Sequence, residues 1–281
     1  VSAYAHYESS IKIFESIDHV RGMEMAAEEM GEALFRLGKY QESLHTYELA
    51  IKHAIACEAT TQIFNAHRGA IDVALAIGDT DKALNYAERI FALGMTCTCK
   101  VCEFDPHLLL GRALLESGQI PQAFHHLEIA KNGYLERSDT KKQISPIVEL
   151  AYCEMERNPG KARKMFEHAQ TLVEMFPSQI RPKIRLHVGL GLLAQQRGEL
   201  EAAKAYFDIA HEAAAAEPRF TADRHRMLPN YLDVLSALNE HGEILLILEQ
   251  IESENGDWCI PDGLRFMHQA QTYFILGRTD E

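Results

Sequence analysis

A short turn built on glycine recurs along the chain: "RLGKY" at Gly38, "AIGDT" at Gly78, "ESGQI" at Gly118, "QRGEL" at Gly198 and "EHGEI" at Gly242. The separations are 40, 40, 80 and 44 residues, and the missing member falls at "RNPGK", where Asn158, Pro159 and Gly160 supply another strong turn signal. A fixed period of this kind marks a repeat architecture, whose units bury their apolar faces only against neighbouring units.

The same residue classes return around each turn. Five residues after the glycine stand Ser43, Ala83, Ala123, Ala203 and Ile247. Four and seven positions further on come Tyr47 and Ala50, Ala87 and Ile90, Leu127 and Ala130, Phe207 and Ala210, the spacing of one helix face. Ala162, Phe166 and Ala169 repeat it after the Asn-Pro-Gly turn. Seven residues before the glycines sit Gly31, Ile71, Gly111, Gly191 and Leu235, on the preceding helix. Each unit therefore reads as two antiparallel helices joined by a tight turn and interlocked at small residues.

This pattern resembles the tetratricopeptide repeat. The resemblance implies an all-α fold, a right-handed α-solenoid (superhelix) of antiparallel helix pairs. It predicts a single array over residues 1–281, with about six full repeats and a half repeat at each end. Ala3, Tyr7 and Ser10 have second-helix spacing, whereas Ala270, Tyr273 and Gly277 read as a first helix and its turn. Such open edges predict further repeats or a capping partner outside this sequence, and hence a fragment of a longer protein. The fourth unit departs from the pattern, with Arg157 and Asn158 where a turn glycine is expected. A 40-residue period also exceeds the roughly 34 residues of the usual repeat, which predicts longer helices or longer links. Units of this length are similar to those of bacterial signalling proteins: intracellular peptide-pheromone receptors, maltose-regulator-type transcription activators, and sensor arrays fused to cyclases or kinases.

Composition narrows the partners. The formal charge of -13 and the pI near 5.5 argue against nucleic acid, because phosphate binding needs a surplus of Lys and Arg. The longest notable apolar run, Ile244 to Leu248, falls far short of the roughly 18 residues of a membrane span. Six cysteines scattered through 281 residues are unlike a dense secreted framework, so a reducing cytoplasm is expected.

Three of those cysteines are close together. In "MTCTCKVCEFDP", Cys97, Cys99 and Cys102 occupy the link between two repeats, and Asp105-Pro106 reads as a helix cap followed by the first helical residue. With His107 or Cys57 they could surround a zinc ion, but only three ligands are local and no second Cys pair has zinc-ribbon spacing. Reduced thiols are the favoured reading, with no metal and no cofactor. Cys57 and Cys97 occupy equivalent places in adjacent repeats, about 10 Å apart. A disulfide needs Cα atoms within about 7 Å, so these two are expected to stay unbridged.

No phosphate loop, zinc-protease helix, Gly-x-Ser-x-Gly elbow or Rossmann glycine run is present, so a non-enzyme is expected, with no catalytic residues. "GLGLLAQQRG" lies inside a helix pattern. His125 and His126 lie beside the apolar positions Phe124, Leu127 and Ala130 and should face solvent or a neighbour.

The resemblance implies that first helices line a concave groove. Offsets from the small residues place Asn65, Arg68, Asp72, Arg112, Leu115, Arg185, Gln195 and Asn239 there, with Glu28 and Glu32 making its first repeat acidic. Amides to bond a backbone and an Arg to hold a carboxylate suit an extended peptide. The Lys and Asn of a two-carboxylate clamp are absent, so a chaperone-tail adaptor is not expected. The reading is a peptide- or protein-binding module of a bacterial signalling or transcription regulator, with self-association through the end repeats as a further expectation. The alternatives are a structural scaffold without ligand switching, and the regulatory domain of a larger enzyme.

Overall fold

The computed structural model describes residues 2–96 and 103–253, which form thirteen α-helices and one short 3-10 turn, Pro218–Phe220, with no strand among the described residues. The helices are α1 (Ser2–Ser16), α2 (Val20–Arg36), α3 (Tyr40–Ala56), α4 (Thr60–Ala76), α5 (Thr80–Thr96), α6 (Asp105–Glu116) and α7 (Ile120–Glu136). They continue with α8 (Thr140–Glu154), α9 (Pro159–Met175), α10 (Ile180–Gln196), α11 (Leu200–Ala215), α12 (Thr221–Ala237) and α13 (His241–Ser253).

The 40-residue period is accounted for by the helices. Helices α2, α3, α4 and α5 are each 17 residues long, and only three residues separate α2 from α3 and α3 from α4. The surplus over the usual repeat thus lengthens the helices and leaves the links tight. Each turn closes in one way. After α2 the amide of Lys39 donates to Leu34 O at 3.0 Å and that of Gly38 to Phe35 O at 3.1 Å, with Gly38 at φ 72°. This is the Schellman arrangement, which satisfies the last carbonyls of a helix through one left-handed residue. Gly78, Gly118 and Gly198 repeat it within units, and Glu58 and Ser138 take the same conformation between units at φ 53° and 56°.

The structure corrects the sequence reading at the last of these turns. Asn239, at φ 61°, fills the left-handed place, and the amide of Glu240 donates to Leu235 O at 2.9 Å. Gly242 lies inside α13, so the true interval from Gly198 is 41 residues. Asn tolerates this conformation better than most residues with a side chain, which lets it replace glycine. The irregular fourth turn uses another device: Asn158 caps α9 through its side chain, accepting from the Lys161 amide at 3.0 Å, and Pro159 opens the helix. At α6 the cap is Phe104, and Asp105 is the first helical residue.

The chain divides into two compact units, Val1–Cys153 and Glu154–Glu281. In the first, the small and apolar positions of the repeat are fully buried at Ala50, Ile71, Ala83, Ala87, Ile90, Ala123, Leu127 and Ala130. The Tyr47 ring sits between two glycines of successive first helices: a Cβ on Gly31 would lie 3.2 Å from it, and one on Gly69 only 2.3 Å. Glycine here lets α3 approach both α2 and α4. Ser43, which stands in the alanine place, is buried and donates to Gly31 O at 2.7 Å, so its hydroxyl is satisfied. In the second unit Phe166 fills the corresponding socket at Gly189, where a Cβ would lie 2.3 Å away. Phe207, Leu228, Tyr231, Leu232, Leu235, Ile244 and Leu248 form a core across α11, α12 and α13. The described part of each unit is thus an all-α array of paired helices.

Candidate ligand-binding face of the first helices

Asn65, Arg68 and Asp72 fall on one face of α4, at i, i+3 and i+7, and Arg112 and Leu115 on one face of α6. Asp72 and Arg112 meet: both terminal guanidinium nitrogens donate to Asp72 Oδ1 at 3.3 Å. On its other side Arg112 Nε lies 3.9 Å from Glu149 Oε1 on α8. The side chains of Arg112, Asp72 and Glu149 are only 16%, 14% and 4% exposed, so one cation is set between two carboxylates in a largely desolvated place. Arg112 therefore clamps three successive first helices together. The sequence offset had singled out Asp72 and Arg112 but not Glu149, because Glu149 follows Arg112 by 37 residues rather than the repeat interval.

The α2 end of this face is acidic. Burial, followed by the charge of Glu24 beside it, pushes the Glu28 carboxyl up to about 7. The Tyr47 hydroxyl donates to Glu32 Oε2 at 3.4 Å, and Arg36 Nε to Glu32 Oε1 at 2.8 Å. Burial, then the carboxylates Glu32, Asp72 and Glu28, keep the Tyr47 phenol protonated well above its usual range. Arg68 stays exposed near Glu28, whose charge it partly offsets.

In the second unit Arg185 and Gln195 are half-buried on α10. Asn239 lies in the turn after α12 rather than on the helix face. Arg181 pairs with Asp223 at 3.4 Å, linking α10 to α12. Tyr231 donates to Asp208, and to Glu243 at 3.0 Å, while Lys204 reaches the same two carboxylates at 3.2 and 2.9 Å. Buried tyrosines bonded to carboxylates recur, with Tyr86 on Glu48 and Tyr134 on Asp105, each at 2.5 Å. They tie helices together.

Histidines are placed as structural groups. The ring nitrogens of buried His67 and His187 lie 2.7 Å from the carbonyls of Ile63 and Lys183 on their own helices. His126 turns inward to His107, with Nδ1 atoms 2.9 Å apart and the Phe91 ring edge-on to both, whereas His125 is exposed. Burial, then the neighbouring His126 and His125, lowers His107 to about 4, so both rings are neutral at pH 7. The pairing went unseen in sequence because it joins residues 19 apart on different helices. Cys97, Cys99 and Cys102 lie outside the described residues, and no cluster of three or more metal-ligating side chains occurs among the described ones. No described helix is long and apolar enough to cross a membrane.

No family model matches this sequence, and no curated protein matches it. Solved structures do match. The apo form of the quorum sensor NprR from B. thuringiensis superimposes with a TM-score of 0.60 at 11% identity, over 97% of this chain and 81% of that one. The Rap conjugation gene regulator of the plasmid pLS20, in complex with the Phr* peptide, gives 0.58 at 16% identity, over 93% and 77%. The apo form of RapI gives 0.50 at 11% identity, over 99% and 85%. At these identities the likeness is one of fold, and it is the helical-repeat fold that the 40-residue period predicts.

Proposed function

We propose that this tetratricopeptide-type repeat protein is a non-catalytic module that binds a peptide or protein segment along its first helices, as the sensor part of a signalling or transcription regulator. The observation that carries the reading is a shared fold: 93% of the chain follows a gene regulator whose structure holds the Phr* peptide. The chemistry of the face agrees. Within the first unit Asn65 offers an amide to an extended backbone, Leu115 an apolar contact and Arg68 a cation for a carboxylate; within the second, Gln195 offers an amide. Arg112 has another role, because binding a ligand would mean giving up its contacts with two buried carboxylates. The 40-residue interval runs through the sequence of both units, which supports one array over residues 1–281. The half-buried, unbridged Cys57 thiol fits a cytoplasmic location.

Calorimetric titration with pools of random heptapeptides tests the reading. Saturable binding that is lost in an Asn65→Ala, Arg68→Ala double variant is the expected result. No saturable peptide binding, alongside a stably co-purifying protein, would favour a structural scaffold and contradict it.

A further inference from the structure

The pair His107 and His126 has two counterparts in the repeat. His67 with Tyr86 and His187 with Tyr206 stand at equivalent places, each pair spaced by 19 residues and displaced from His107 and His126 by 40 and 80. In both counterparts the Nδ1–H of the first-helix imidazole donates to the carbonyl four residues back, at 2.7 Å, and the partner ring is a phenol whose centroid lies 6.3 or 6.4 Å away. The middle pair departs on both counts. His126 replaces the tyrosine, and α6 begins only at Asp105, so no carbonyl of that helix lies four residues behind His107. The two imidazoles instead close to 5.0 Å between centroids, and their Nδ1 atoms meet at 2.9 Å. One Nδ1 carries the proton between them and the other presents a lone pair. Phe91 on α5 stands nearly perpendicular to both rings and backs them with hydrocarbon, while both imidazoles stay half-buried rather than sealed.

We propose that His107 and His126 hold a divalent transition ion that prefers ligands at right angles, nickel(II) or copper(II), between their Nδ1 atoms. A purely structural ring contact is made with tyrosine at the two counterparts; an imidazole in that place adds a second metal-ligating nitrogen. The separation selects the ion. Two nitrogens bound at about 2.0 Å and about 90° to one another stand about 2.8 Å apart, whereas a tetrahedral zinc ion spreads them to about 3.3 Å. The observed 2.9 Å suits the first arrangement without moving either ring. Binding exchanges a hydrogen bond for two coordinate bonds: the proton between the rings passes to Nε2 of the ring that carried it, both imidazoles stay neutral, and no electron is transferred. Water completes the coordination. An ion in this place joins α6 to α7 and adds its binding to the stability of the folded pair.

The test titrates nickel(II), which does not oxidise the chain's six thiols, into chelator-stripped protein at pH 7 and follows the heat. Fourteen histidines and six cysteines offer such an ion other places, so the deciding variant is His126→Tyr, which installs the ring found at both counterparts and is checked for unchanged helicity by circular dichroism. The expected result is one equivalent bound, at least about tenfold more weakly in His126→Tyr and in His107→Phe, and equally well in His125→Asn. Saturating nickel(II) should raise the melting temperature of the unaltered protein and leave that of His126→Tyr where it was. In nitrogen-15 spectra the ring signals of His107 and His126 should be the first to broaden. An equivalent bound as tightly by His126→Tyr would place the ion elsewhere on the chain, cysteines included, and overturn the proposal. Equal loss in His125→Asn would move the ion to the exposed face of α7 and overturn it too, as would the absence of any saturable binding.

Discussion

Arg112 follows Asp72 by one repeat and donates to its carboxylate at 3.3 Å, so one ion pair joins equivalent positions of neighbouring first helices. Glu149 extends the contact to a third helix at 3.9 Å. A solenoid holds together only through contacts between neighbours, and here part of that contact is electrostatic. Replacing Arg112 by Gln leaves two carboxylates largely buried with one shared partner removed, and should cost about 2–4 kcal/mol in urea unfolding. The double variant Asp72→Asn, Arg112→Gln should cost less than the sum of the single changes. Additive losses would show that the pair contributes no coupling.

Glycine positions separate packing from turn geometry. Gly69→Ala places a methyl group 2.3 Å from the Tyr47 ring and should destabilise by about 1–3 kcal/mol through overpacking. Gly78→Ala meets no atom within 4 Å, yet it should still cost about 1 kcal/mol because its φ is +76°. Adding Tyr47→Leu should relieve the first variant and leave the second unchanged, as thermal melts would show.

The corrected position of the last turn gives an opposite pair of effects. Asn239→Gly should be neutral or stabilise by up to about 1 kcal/mol, since glycine adopts the left-handed conformation without strain. Gly242→Ala, inside α13 with open space around it, should stabilise by roughly 0.5–1 kcal/mol. A loss from Gly242→Ala would return the turn to the place first read from sequence.

Stability should respond to pH with two opposed contributions. Glu28 is raised from 4.5 to about 7, chiefly by burial and by Glu24, with Glu29 adding repulsion and Arg68 opposing. The folded state then holds a proton that the unfolded chain has released, so this contribution is full below pH 4.5 and is lost as pH rises through 7. His107 is lowered from 6.5 to about 4, so its contribution is present above pH 6.5 and lost as pH falls toward 4. Glu28→Gln should raise stability at pH 8 by about 1 kcal/mol and flatten the decline between pH 5 and 8. His107→Gln should reduce the loss on the acid side. Melting temperatures across pH 4–9 would measure both.

The periodic glycines and alanines made the helix pairs legible, because a 40-residue interval with a fixed small-residue offset has few other physical meanings. Tyr47 and Phe166 occupy the ring positions so read. What the sequence could not express is choice among compatible residues: Asn239 and Gly242 both suit a turn, and only the backbone shows which one turns. The candidate face was readable as a set of offsets, whereas its electrostatics were not. Arg112 looked like a free cation for a ligand until Glu149, off the repeat register, was seen beside it. In sequence His126 reads as facing solvent or a neighbour, and only the packing of α6 against α7 shows that the neighbour is His107.

The central claim is that stacked helix pairs present a peptide-binding face on their first helices. A photo-crosslinking benzoylphenylalanine placed at Leu115 on α6, or at exposed Glu88 on the second helix α5, tests it most directly against the heptapeptide library. Peptides captured from position 115 and not from position 88 are the predicted result. Equal capture at the two positions, or capture only from position 88, would contradict it.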